Sequence, residues 1–478
     1  KFMPNRFLAG LLLCLLAVGP SALAGAAEMP GGDVPRAAGE TGQPAAPAAP
    51  GRQEHRVLSE GEALILAGRL MRAGSLEEAR AIYAAVLEKT RNADFRVEAR
   101  FQTTQILLLE GKYRAAAASL QTILNERPNL PRVRLELARA YFLDKNYDDA
   151  AFQFELVKGG DLPPEVLANV EHFLDRIRRQ KNWTLDFFLT PVSDSNIGQA
   201  SGGSEECIDT VFGTLCRPLE AKESGLGLSG GVSLDYFRRL SQDWGLRASV
   251  GFNGLVYEQH DYDDHTLYMA LGPRRLWESG EASLQPTFRK RWYGRKEYSQ
   301  EYGLRLDARQ NFGPLILDGG ASWGVTDYAD PYVHGFLHGP SWGLRFQPRY
   351  ILNDRTFVQA GVQFLRDETR ERAYASDNWR YTLGAYRILP YSFALFLEGS
   401  LTRSGYKASQ WYVTKDNRID ETTRRDTIWG FTSSLSSSAF AAWGLTPVLQ
   451  YSYTRRDSNI WTREFERHRL NLMVNIRF

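Results

Sequence analysis

Apolar residues recur along this chain with two different periods. Between about residues 56 and 181 they return every three or four positions, the spacing of one face of an α-helix. Beyond Trp183 they alternate with polar residues, the spacing of a strand that is wet on one side only. In the helical stretch, "SLEEARAIYAAVL", "KYRAAAASLQTIL" and "NYDDAAFQFELV" share a small-x3-large skeleton anchored at Ala79/Tyr83, Ala116/Leu120 and Ala150/Phe154. The last two anchors lie 34 positions apart, the tetratricopeptide period, and the first interval is about three residues wider because "TRNAD" lengthens a loop. Ala67, Thr104 and Ala138 are the matching small residues of the preceding helices, and a helix over 163–179 is expected to cap the stack.

The alternating stretch predicts about fourteen strands: 183–191, 224–236, 244–256, 266–276, 281–292, 301–309, 314–326, 338–350, 356–365, 378–387, 392–403, 426–436, 445–454 and 466–478. Their apolar stripes, such as Leu226/Leu228/Val232/Leu234/Tyr236, ask for a lipid-facing side. The connections alternate between short ("WESGE", "QNFG", "LNDR") and long, charged ones ("RDETRERAYASDN", "SGYKASQWYVTKDNRIDETTRR"). That is the asymmetry of an outer-membrane barrel with short periplasmic turns. An even strand count returns both barrel ends, and with them the helical domain, to the periplasm. Phe478, closing the alternating "RLNLMVNIRF", has the form of the aromatic signal read by the outer-membrane insertion machinery. The fold class is therefore α plus membrane β: tetratricopeptide helical repeats, then an antiparallel barrel of about fourteen strands.

Composition adds little to this. A net charge of +2 in 478 residues points to no nucleic-acid partner, and the lipid bilayer is the solvent that the stripes imply. "MPNRFLAGLLLCLLAVGPSALAGAAE" has the basic start, apolar core and small-residue site of a cleaved secretory signal, so 1–27 is expected to be removed. Residues 28–55, rich in Pro, Ala and Gly, are expected to be a flexible linker, leaving 56–181 as the helical domain and 182–478 as the barrel. In an exported protein Cys207 and Cys216 are expected to form one disulfide.

Candidate chemistry is sparse. No GxSxG, HExxH or phosphate-loop motif occurs, so the expectation is no enzyme and no cofactor. His260 and His265 flank "DYDD", and His334 and His338 adjoin a strand start; both pairs are taken as solvated surface rather than metal ligands. The inner wall of the barrel leans basic through Arg247, Arg289, Arg291, Arg305, Arg309, Arg345 and Arg349, either to guide an acidic or polar passenger or to brace a wet lumen by pairing with acids. The inward positions of the repeat helices, Glu98, Phe101, Gln105, Arg132, Leu135, Arg139 and Phe142, are expected to form a cargo groove. In "TPVSDSNIGQAS", Pro191 is expected to end the first strand's ladder, and Asp194, Ser195 and Asn196 to turn the chain inward as a gate or constriction. The seam between the first and last strands then becomes the easiest place to open, with Leu185 set opposite Val474.

Together, "GKYRAAAASLQTILNERPNLPRVRLELARAYF", "LPPEVLANVEHFLDRIRRQKNW", the junction ending in "SDSNIGQAS" and the closing hairpin "GLTPVLQYSYTRRDSNIWTREFERHRLNLMVNIRF" resemble the surface lipoprotein assembly modulators, over about residues 100–478. The resemblance implies an outer-membrane translocon. Its cargo would be surface lipoproteins or a soluble secreted haem- or metal-acquisition protein, received from a periplasmic chaperone or carrier. The alternative is a polysaccharide exporter, which also joins such repeats to a barrel but usually with a longer helical superhelix.

Overall fold

The computed structural model describes residues 58–478 except 161, 392, 438–445 and 478, together with the side chains of these residues up to 474. The expected signal, the linker and Phe478 lie outside the described residues.

Seven helices come first: α1 Glu60–Arg72, α2 Leu76–Lys89, α3 Ala93–Leu109, α4 Tyr113–Glu126, α5 Pro131–Leu143, α6 Tyr147–Val157 and α7 Pro164–Gln180. Polar side chains cap the starts of three of them, α1, α3 and α6. Ser59 and Glu62 form a reciprocal capping box on α1, and the Asn92 side chain accepts from the amides of Asp94 and Phe95. Each of the three hairpins turns through a residue of positive φ: Gly74 at 85°, Gly111 at 74° and Lys145 at 63°. The first two are the residue type such a turn favours, and the third is not. The anchors Ala67, Ala79, Thr104, Ala116, Ala138 and Ala150 are wholly enclosed, so paired helices meet at small residues while Tyr83, Leu120 and Phe154 fill the spaces between them. α7 caps the stack by laying Val170, Leu174 and Ile177 against Ala138, Ala150 and Phe154.

Fourteen antiparallel strands then close into a barrel. They are β1 Trp183–Asp194, β4 Gly225–Arg239, β5 Trp244–Tyr257, β6 Asp264–Trp277, β7 Gly280–Tyr293, β8 Lys296–Phe312, β9 Leu315–Tyr328, β10 Gly339–Asn353, β11 Thr356–Asp367, β12 Ser376–Ile388, β13 Phe393–Val413, β14 Ile419–Ser437, β15 Thr446–Ser458 and β16 Phe465–Arg477. The numbers between belong to an external hairpin, β2 Glu205–Thr210 with β3 Gly213–Pro218, inside the first long loop. A short helix, α8 Pro331–Leu337, fills the turn between β9 and β10. Each strand pairs with its neighbour in sequence, and β1 closes the ring between β16 and β4. The stripes face outward as alternation requires: Leu226, Leu228, Val232, Leu234, Leu344, Phe346, Leu470 and Leu472 are all exposed on the outer surface. An apolar band of this kind around a closed barrel is stable only in lipid, which places the barrel in an outer membrane. Among the described residues no helix is long and apolar enough to cross a membrane.

Two expectations about strands are corrected. β1 does not end at Pro191 but stays paired with β4 without a break from Trp183 to Asp194. On the other side its ladder with β16 skips Thr190 and Pro191 and resumes at Val192 opposite Asn471. Proline lacks the N–H that a ladder needs, so only one of its two flanks suffers. β13 and β14 run far beyond 392–403 and 426–436, because backbone pairing continues where the apolar stripe that marked those limits has stopped.

Candidate functional site

The helical domain is seated in the short-turn end of the barrel. Leu156, the penultimate residue of α6, is buried with Ile316, Ile351 and Phe357 of the barrel wall, and Phe152 packs edge-on against Tyr386 with ring centroids 5.6 Å apart. Gly159 lies three positions on, just past the C-cap of α6. A Cβ there would lie 2.7 Å from both the side chain and the carbonyl of Ile351, so only glycine permits this approach. Beside this seal Arg134 of α5 places Nε 3.3 Å from Oδ2 of Asp354, in the β10–β11 turn, and donates from Nη1 to Gln153 at 2.9 Å. Both charges are enclosed. Burial presses the Arg134 guanidinium below its ordinary value, and the adjacent Asp354 carboxylate opposes that pressure. Further round the rim, Arg178 donates to the carbonyl of Glu278, and Arg179 to that of Gln242 at 2.9 Å. Above α6 and α7 lies a cavity of about 520 Å³ lined by charges of both signs from both domains, among them Glu155, Lys181, Asp235 and Arg309.

The arginines of the inner wall do not present a bare positive surface. Arg247 meets Asp235 at 2.7 Å, Arg289 meets Glu301 at 2.9 Å, and Arg291 meets Asp264 at 2.7 Å. Arg305 and Arg345 share Asp307 at 2.5 and 3.1 Å, and Arg349 lies 3.5 Å from the Gln359 side-chain oxygen and over the Phe357 ring. Arg309 reaches out of the barrel to Glu155 of α6 at 2.8 Å. Six of the seven are thus ion-paired. This favours bracing over a free guiding wall, and Arg309 is one of the contacts holding the helical domain in place.

At the opposite end, the segment expected to be a gate forms a buried polar clamp across the seam. Asp194 is 2 % exposed and points into the lumen, where Arg467 of β16 grips it from Nε at 2.9 Å and Nη2 at 2.5 Å. Arg469 lies 3.3 Å away, and the Tyr257 hydroxyl donates at 2.8 Å. Ser195 exchanges two hydrogen bonds with the backbone of His468. Asn196, fully enclosed, donates to the carbonyls of Glu466 and Ala200 and accepts from the Ala200 amide. The chain does turn at these residues, but it turns into contact with β16. The loop beyond carries the β2–β3 hairpin, in which Cys207 and Cys216 are joined by a disulfide and Val211 and Phe212 stand almost fully exposed at the tip.

With this geometry in view, the profile of the surface lipoprotein assembly modifiers matches residues 183–478, the whole barrel and well over half of the chain. The chain belongs to the surface lipoprotein assembly modifier family. A tetratricopeptide profile matches residues 107–161. Among curated relatives, a surface lipoprotein assembly modifier of Pasteurella multocida is 22 % identical over 399 residues, covering 77 % of this chain and 74 % of the relative. The surface lipoprotein assembly modifier 1 of Neisseria meningitidis serogroup B is 24 % identical over 378 residues, covering 77 % and 73 %. Among solved structures, the outer membrane channel DcaP of Acinetobacter baumannii aligns at 10 % identity with a TM-score of 0.35, over 62 % of this chain and 97 % of that one. A loop-deletion form of OmpT of Vibrio cholerae aligns at 9 % and 0.32, over 62 % and 100 %.

For this member of the family, the expected cargo groove divides in two. Phe101 and Phe142 are core residues, buried in separate helical clusters, because they sit where consecutive helix pairs stack; Leu135 packs against the second cluster. Glu98, Arg132 and Arg139 are exposed, Arg132 over the Phe101 ring, while Gln105 is half-buried with its amide nitrogen unpartnered. Glu98 also lines a cavity of about 280 Å³ with Leu64, Met71 and Tyr83. Arg134, Asp354, Gly159, Tyr257, Arg467 and Arg469 escaped sequence reasoning. Arg134 carried a usable signal: a charge at a core-facing helical position demands a partner, though nothing in "LNDR" said that the turn supplied it.

Proposed function

We propose that the chain is an outer-membrane translocon that receives a lipoprotein in the periplasm, passes it through the barrel and releases it at the cell surface. The observation that carries this is the pairing of a barrel of the surface lipoprotein assembly modifier family with a helical domain seated in that barrel's mouth. Cargo engages the exposed Glu98, Arg132 and Arg139 of the helices together with the half-buried Gln105, and the helical domain then swings off the rim. Folding of the cargo outside supplies direction, since binding or folding on one side only pulls the equilibrium that way.

The acyl chains of a lipoprotein cannot follow the protein part through water, because each CH2 favours lipid by about 0.8 kcal/mol. We therefore assign them a sideways exit at the β1–β16 seam, where Pro191 leaves the ladder interrupted and Asp194, Ser195 and Asn196 act as the catch. Register sets Leu189 opposite Val474, correcting the expected partner Leu185. A Leu189→Cys/Val474→Cys pair, oxidised in cells that co-express a lipoprotein cargo, is expected to abolish its exposure to added protease, and reduction is expected to restore it. Normal display through the locked seam overturns the sideways exit. Display that does not depend on the chain at all overturns the function. Loss for lipidated cargo only, with a soluble haem- or metal-acquisition protein still exported, assigns both cargo classes to one pore.

A further inference from the structure

The external turn between β9 and β10 carries side chains that transport leaves unused. His334 lies in α8 and His338 caps its C-terminus, four positions on, so one helical turn brings both imidazoles to the same side. Their rings stack with centroids 4.5 Å apart and planes inclined by 27°. Sequence spacing offers only these two. The fold adds Asp327 at the end of β9, whose Oδ1 lies 2.8 Å from Nδ1 of His338. One donor atom from each of the three residues lies within 4.8 Å of the others.

Tetrahedral zinc, with ligand bonds of about 2.0–2.1 Å, sets its donors about 3.3–3.5 Å apart. Side-chain torsions alone can draw the three donors in by the remaining ångström or so. The backbone around them is already fixed. The Asp330 side chain caps α8 by accepting from the amides of Tyr332 and Val333 at 2.8 and 3.1 Å. On the far side the β11–β12 loop donates from Arg370 to the His338 carbonyl and from Glu371 to the Phe336 carbonyl, both at 3.0 Å. Nδ1 of His338, the nitrogen that faces Asp327, also lies 3.0 Å from the Thr326 carbonyl, a contact that sets the ring's orientation and that an ion held on the same nitrogen displaces. A second cluster, Glu205 with Cys207 and Cys216, offers nothing comparable, because the disulfide consumes both thiolates.

We infer that Asp327, His334 and His338 form a surface site for a divalent transition-metal ion of the zinc class, with a fourth position open to water. Two imidazoles and one carboxylate select such an ion over calcium or magnesium, which take oxygen ligands. The bound ion ties the end of β9 to the start of β10 through α8, and so stiffens the external rim on the side away from the seam.

The test uses the full barrel protein in detergent micelles, purified on a tag without histidine. Titration with Zn2+ by calorimetry is expected to show one saturable site per chain, and Co2+ the intense visible absorption of a tetrahedral complex. Loss of an outer partner of a metal ligand commonly weakens binding about 10–100-fold, so His334→Ala, His338→Ala and Asp327→Asn, which remove ligands, are each expected to weaken it by at least that much. His260→Ala, in another external loop, is expected to leave it unchanged. Zn2+ should also shield His334 and His338 from diethylpyrocarbonate in the unaltered protein, a readout that needs no variant to fold. No saturable Zn2+ site, binding undiminished in the triple variant, or no shielding overturns the assignment and leaves a stacked histidine pair held by one aspartate.

Discussion

At the scale of single residues, the contact between the domains concentrates in Arg134, Asp354 and Gly159. Removing one partner of a buried ion pair strands the other, typically at about 3–5 kcal/mol, whereas replacing both by apolar residues of similar size is often neutral. Arg134→Ala is therefore expected to loosen the helical domain from the rim, read as faster amide exchange in 351–357, while Arg134→Met with Asp354→Leu is expected to keep that protection. Gly159→Val should loosen it without touching a charge, since its first carbon collides with Ile351. A third residue points the other way. Lys145 holds φ at 63° in a turn whose two counterparts are glycines, so Lys145→Gly is expected to raise stability by about 0.5–1 kcal/mol, seen as a higher urea midpoint of the helical domain.

Among elements, the β1–β16 seam differs from its neighbours by being interrupted in the middle and clamped at one end. Asp194→Ala leaves Arg467 and Arg469 facing each other across an empty site, and Asn196→Ala removes three hydrogen bonds. Both are expected to lower the temperature at which the folded barrel loses its gel mobility, the first by more, since a buried ion pair outweighs neutral hydrogen bonds at about 1–3 kcal/mol per orphaned group. How far the elements were legible follows from which signal each one leaves. The small residues of the repeats were readable because helices that touch must meet at Ala67 or Ala150, and the strands because lipid enforces Leu226 and Leu228 two positions apart. The long ends of β13 and β14 were not, since "KASQWYVTKDNRID" lies beyond the lipid and its pairing needs no apolar stripe. Nor was the role of "SDSNI": its residues are turn formers by type, and only the ring closure of β1 on β16 brings Arg467 to Asp194. Chain positions 273 residues apart leave no local trace of such a pair.

Across the described residues, the barrel has an inner wall whose arginines are mostly paired with acids and a short-turn mouth occupied by the chain's own helices. Fourteen strands enclose a wider interior than the eight that side chains alone can fill, and the helices are seated at the short-turn mouth of that interior. That seating has a consequence for the cell as a whole. An outer membrane keeps out bulky antibiotics only while no wide lumen in it stands open, and a glycine beside Ile351 permits the close approach that seats the helices at this barrel's mouth. Bacteria expressing Gly159→Val are therefore expected to become sensitive to vancomycin at concentrations that those expressing the unaltered chain survive, measured as growth inhibition at equal barrel abundance. Unchanged resistance would mean that the lumen stays closed after the helices leave. Sensitivity would make the helical domain a part of the cell's permeability barrier, quite apart from any cargo it handles.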